Sequence, residues 1–212
     1  MTAAAVHPHR RRRRHPGMTN AQFGKLLIFV NALIPLALLL WDVHIGETGT
    51  DKVAFIEHTT GLMALTFILL TLTVTPLRKL TGSSFFMHFR RQLGLWAFFY
   101  AGLHLLAYLN YQRNWNLHAV VHDVFNAKYI FFGMTAFVLM IPLALTSTAG
   151  SVKRLGAVAW KRLHMLIYIT AICAVIHFYL IVKAPTQLLK IFIAVLAVLL
   201  GMRVVWALAR KK

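Results

Sequence analysis

The chain has 212 residues, 59% of them hydrophobic, a formal net charge of +18 and a mean hydropathy of +0.67. Soluble domains run to about 45–50% apolar, so the composition excludes an ordinary soluble domain and points to the lipid bilayer. Without a folded soluble face to carry them, the 23 Lys and Arg residues argue against a nucleic-acid partner and for the basic bias of cytoplasmic loops.

Residues 1–24 read as a basic cytoplasmic tail, with Arg10 to Arg14 in one run. Six apolar runs follow, near 25–41, 59–77, 93–109, 129–146, 163–182 and 188–208. The first contains Asn31 and Pro35, which predict a kink, and ends at Trp41, an interfacial anchor. The loop after it holds Asp42, Glu47, Asp51 and Glu57, four of the five acids in the chain. The second loop carries Arg78, Lys79, Arg90 and Arg91, and the fourth Lys153, Arg154, Lys161 and Arg162. The third, from Asn110 to Lys128, is mixed and reads as a loop with solvated His118 and His122. Basic clusters thus alternate with poorer ones, and the positive-inside rule places both termini in the cytoplasm. The predicted fold class is all-α: a six-helix transmembrane bundle forming one domain over 25–209. The single cysteine, Cys173, excludes an internal disulfide and reads as a small buried hydrophobe.

Histidines inside the spans carry the functional signal, because an ionisable side chain at bilayer depth costs roughly 2.5–3.5 kcal/mol and marks a site. His104 follows the basic anchor Arg91 by 13 positions, and His177 follows Arg162 by 15. At 1.5 Å per residue these are depths of roughly 20 and 22 Å on two helices running the same way. Two imidazoles at matched depth can ligate one haem iron in a bundle core. The bland alternative for each is a polar contact between helices.

His164 precedes His177 by 13 positions, about 20 Å along an ideal helix and on another side of it. It cannot share the same iron. It holds a second haem, a propionate or a flavin on the inner side, or is an interfacial histidine beside Trp160. His58 reads as a cap or loop contact at the outer surface, and His44 and His88 as solvated loop residues.

The segments RRQLGLWAFFYAGLHLLAYL and TSTAGSVKRLGAVAWKRLHMLIYITAICAVIHFYLIVK, with HTTG at His58 to Gly61, resemble a known family. It is the haem-binding membrane subunit of the bacterial periplasmic methionine-sulfoxide reductase system, within the ferric-reductase-like transmembrane group. The resemblance covers roughly residues 20–210. It implies haem b and FMN as cofactors, a multi-pass position in the bacterial inner membrane, and His104, His164 and His177 as haem ligands. It also implies electron delivery to a periplasmic molybdopterin-containing methionine-sulfoxide reductase subunit that repairs oxidised proteins. One departure from the wider group stands out: Arg90 and Arg91 occupy the positions where two-haem members carry the partner histidine of His104.

The reading is therefore an electron-transfer subunit, not an enzyme on its own. There is no Gly-rich dinucleotide fingerprint, so electrons come from membrane quinol or a cytosolic flavin reductase. Arg90, Arg91, Lys161 and Arg162 are the inner-side groups that would meet a reductant or a flavin phosphate. The alternative is a small proton-coupled transporter or channel with histidine relays, but the spans show no repeat and no carboxylate.

Overall fold

A computed structural model describes residues 18–182, 184 and 186–209, so most of the basic tail lies outside the described residues. Among these residues every regular element is helical. Six helical segments are long and apolar enough to cross a membrane: Asn20–Ile45, Lys52–Thr81, Arg90–Gln112, Lys128–Leu145, Ala157–Ile181 and Gln187–Ala209. Each contains the apolar core of the run predicted for it and extends beyond at least one end.

Local signals set the ends. Helix α1 (Asn20–Ile45) opens on a capping box, with Thr19 Oγ1 accepting from Gln22 N at 3.3 Å and Gln22 Oε1 from Thr19 N at 2.8 Å. It closes on Gly46 at φ 80°, the left-handed C-cap that glycine adopts without steric cost. Helix α2 (Lys52–Thr81) is capped by Asp51, whose Oδ1 accepts from Ala54 N at 2.9 Å. Helix α1 stays helical through Pro35. Three positions before it, the Ala32 carbonyl takes a hydrogen bond from the fully buried Tyr100 hydroxyl at 2.5 Å.

Helix α2 is the centre of the molecule, with Thr60, Leu65, Ile68 and Leu72 all buried. It packs closely along helix α3 (Arg90–Ala107), and α5 (Lys128–Leu145) packs in the same way along α8 (Leu166–Ile181). These two helix pairs form the core bundle. Helix α9 (Gln187–Ala209) leans on α2 and α8 through Leu189, Leu196 and Leu199. On the periphery Leu38, Leu40, Val198 and Val205 are exposed, as apolar side chains facing lipid must be.

Two stretches read as loops contain helix. On the side where α3 ends, the backbone widens into a π-turn over Tyr108–Gln112 and then forms α4 (Leu117–Asn126). Val120 and Val124 of α4 join Tyr108 and Ile130 in a small apolar cluster of their own. Hydrophobic periodicity over ten residues suffices to seat such a helix, and Asn116 caps it by accepting from Ala119 N at 3.1 Å. His118 and His122 on it are exposed, as expected. On the opposite side, α6 (Ala149–Leu155) and α7 (Ala157–Leu163) occupy what was read as the fourth loop. The fifth span consequently starts at Ala157 and breaks between α7 and α8. Met165 N bonds Arg162 O at 3.1 Å and Tyr168 N bonds Met165 O at 3.0 Å, the tighter i→i+3 pattern. His164 sits in this break, so its direction does not follow from extending an ideal helix back from His177.

Candidate functional site

Among the described residues the core bundle holds a cavity toward each of its ends. The first, about 350 Å³, is lined by apolar residues of α2, α3, α5 and α8, with His104 and His177 on opposite helix pairs. Their ring centroids are 5.9 Å apart and the rings are nearly perpendicular, at 80°. His104 Nδ1 lies 2.9 Å from the carbonyl oxygen of Glu57, and His177 Nδ1 2.6 Å from that of Tyr129. A carbonyl can only accept, so Nδ1 carries the proton in each ring. Nε2 is therefore the nitrogen with a free lone pair, the arrangement by which proteins orient a metal-ligating histidine.

Among the described residues no three His, Cys, Asp or Glu side chains converge as a cage for a bare ion. The pair offers two nitrogens, the number that an iron already held by a planar macrocycle lacks. An imidazole nitrogen binds a metal at about 2 Å, so two imidazoles on opposite sides of one metal have centroids about 6 Å apart. The observed separation fits that requirement, and the apolar lining suits a flat hydrophobic ligand.

The second cavity, about 360 Å³, lies at the other end of the bundle and includes Arg90, Arg91, Thr148, Trp160 and His164 in its wall. His164 Nδ1 is 3.0 Å from the Trp160 carbonyl, its ring stacks on the Trp160 indole at 3.9 Å, and its buried Nε2 has no hydrogen-bond partner among the described residues. An unprotonated nitrogen buried with nothing to accept from is costly unless a ligand completes it. Met140 lines both cavities, and Phe98 of the second stacks on Phe137 of the first, centroids 5.5 Å apart.

The six-span alternation thus brings His104 and His177 together and keeps His164 apart with Arg90 and Arg91. Lys161 and Arg162 are exposed on α7 and line neither cavity. His58 is exposed at the rim of the first cavity, its ring 6.4 Å from that of Phe178. Cys173 is buried and free.

Sequence reasoning missed the outer network and the seats of the histidines. Tyr108 donates to Asp123, and Arg113 pairs with the same carboxylate, tying the π-turn to α4. The hydrogen bond from Tyr108, then that from Arg113, holds the Asp123 carboxyl below its ordinary range. Gly61 and Gly133, inside apolar helices, lie directly under the rings of His104 and His177. A glycine within a helix costs about 1 kcal/mol relative to alanine, and that unexplained cost was the available signal.

Comparison with known proteins agrees with this architecture at two levels. Residues 59–175, over half of the chain, match the ferric reductase like transmembrane component family, which defines the class of membrane protein. The protein-methionine-sulfoxide reductase heme-binding subunit MsrQ of Xanthomonas euvesicatoria pv. vesicatoria is 45% identical over 192 residues, 88% of each chain. Its counterpart in Xanthomonas axonopodis pv. citri is 44% identical over the same share, and that of Herminiimonas arsenicoxydans 37% identical over 91% of this chain and 89% of its own. The chain belongs to the family of heme-binding subunits of protein-methionine-sulfoxide reductase.

Proposed function

We propose that the chain is a membrane b-type cytochrome that carries electrons across the bacterial inner membrane to a periplasmic molybdopterin-containing methionine-sulfoxide reductase subunit. The observation that supports this most is the His104/His177 pair, with each Nδ1 committed to a helix carbonyl and each Nε2 free beside an apolar cavity. His104 and His177 would together hold a haem there, and the group would supply a one-electron carrier suited to electron transfer rather than oxygen chemistry. The names of the relatives, as heme-binding subunits, point the same way.

The basic loops orient the chain. Arg78, Arg90, Arg91, Lys153, Arg154, Lys161 and Arg162 gather on the side of the second cavity, which the positive-inside rule assigns to the cytoplasm. The first cavity then faces the periplasmic half, below α4 and the acid-bearing segment 42–57. His104 and His177 hold the outer haem, and Glu57 and Tyr129 fix the tautomer of both rings. On the inner side, His164 Nε2 and the Arg90 guanidinium share a cavity, a nitrogen that lacks a donor beside a cation. The Nε2 lone pair suits the iron of a second haem and the Arg90 guanidinium the phosphate of FMN, the latter by resemblance, with quinol or a cytosolic flavin reductase as the donor. Lys161 and Arg162 would meet such a donor at the surface.

A visible spectrum tests the reading. Purified in mild detergent, the protein is expected to be red, with a low-spin b-type spectrum that sharpens on reduction. His104→Ala and His177→Ala should each abolish or greatly reduce the outer haem. Full haem occupancy in both variants would overturn the pairing.

A further inference from the structure

The two axial histidines are seated by the same device, used twice. On α2, Gly61 lies under His104, and the carbonyl that accepts from His104 Nδ1 belongs to Glu57, four residues earlier. On α5, Gly133 lies under His177, and the accepting carbonyl belongs to Tyr129, again four residues earlier. Both glycine helices are the close-packed neighbours of the helices that carry the histidines.

The spacing has a physical reason. In an α-helix the carbonyl at i−4 already accepts from the N–H at i, and its second lone pair is free. A side chain at i projects toward the helix N-terminus and covers that turn. Glycine at i leaves the carbonyl open for an imidazole to lie flat against the helix. An alanine Cβ at 133 would stand 2.7 Å from His177 Nδ1 and 2.8 Å from its Cε1, distances that carbon atoms do not tolerate. At 61 it would stand 3.2 Å from both Nδ1 and Cε1 of His104, tight but relievable by a small shift. His104 also has a second acceptor in reach, the Thr60 hydroxyl at 3.4 Å, whose proton is shared between Ile56 O at 2.7 Å and Glu57 O at 3.2 Å. Among the described residues no second acceptor is seen for His177 Nδ1.

We propose that Gly61 and Gly133 are positioning residues for the haem. Each holds its histidine in the Nδ1–H tautomer, and the hydrogen bond to the exposed carbonyl raises the donor strength of Nε2. This rests on the His104/His177 ligand assignment. A stronger donor favours the ferric state, so the two seats keep the outer haem at a low potential, ready to pass its electron outward. Breaking either hydrogen bond should raise the midpoint potential, and turning the ring away from its 80° partner should change the anisotropy of the ferric low-spin signal.

The test uses the full chain purified with its haem, with redox titration and low-temperature EPR as readouts. Gly133→Ala is expected to raise the potential of the outer haem and alter its EPR signal, or to lose that haem from a folded protein. Gly61→Ala should shift both readouts in the same direction by less. Gly102→Ala, on α3 two residues from His104 with open space at its Cβ, should match wild type in both. If Gly133→Ala does not fold, Gly61→Ala carries the test alone. Wild-type potential and EPR in the folded glycine variants, with His177→Ala losing haem, would overturn the glycine proposal and leave the ligand assignment standing. Full haem retention in His177→Ala would overturn the assignment and this proposal with it.

Discussion

Trp160 is the residue through which the inner half of the site can be perturbed without touching a proposed ligand. Its carbonyl fixes His164 Nδ1, its ring stacks on the imidazole at 3.9 Å, and its Nε1–H is anchored to the Thr146 carbonyl at 2.9 Å. Replacing it by alanine keeps the carbonyl but removes the stack and the anchor. An aromatic pair contributes about 1 kcal/mol and a neutral hydrogen bond about 1 kcal/mol. The loss of about 2 kcal/mol reduces the ratio of held to released His164 rotamers roughly thirtyfold, at tenfold per 1.4 kcal/mol. Trp160→Phe keeps most of the stack and loses only the anchor, so its effect should be about fivefold. Stopped-flow absorbance can follow the two half-reactions of the outer haem separately. Reduction by an inner-side donor should slow in that order, while oxidation by an outer acceptor stays at the wild-type rate. Equal slowing of both half-reactions, or wild-type reduction in Trp160→Ala, would refute the assignment of His164 to the inner step.

Two further outcomes follow from the placement of charges. Arg90→Glu should slow inner-side reduction far more than Lys161→Glu or Arg162→Glu, because Arg90 lines the inner cavity while the other two are exposed and screened by salt; equal effects in the same stopped-flow assay would place donor contact at the surface instead. The Asp123 carboxyl is held below its usual range, chiefly by the hydrogen bond from Tyr108, so its contribution is complete above the unfolded value near ~3.9 and is lost as pH falls through the lower folded one. Trp115 fluorescence should therefore show a loosened α4 in Asp123→Asn at neutral pH, and wild type should approach that state on acidification below pH ~4.

Much of the architecture was legible in the sequence because lipid imposes one strong rule: every buried backbone group must be satisfied within a helix. Length and apolarity alone therefore located six spans, and the matched offsets of His104 and His177 from basic anchors placed them at one depth. Resemblance in two long motifs led to the family that the comparisons bear out. Short polar–apolar alternation is a weaker signal, so α4, α6 and α7 passed as loops. The break at His164 lies in the backbone pattern, where His164 N keeps the Trp160 carbonyl but Met165 N turns to Arg162 O, and periodicity does not encode it. Only tertiary structure decided that Gly61 and Gly133 lie beneath the two histidines, that Arg90 shares a cavity with His164, and that Lys161 and Arg162 do not. Each of those facts is a distance between residues far apart in the chain or across a helix turn. Hydrophobic burial sets which helix faces meet, but the register at which α2 meets α3, and α5 meets α8, is set by close packing of particular side chains. That register puts each ring nitrogen opposite the carbonyl that its glycine leaves open.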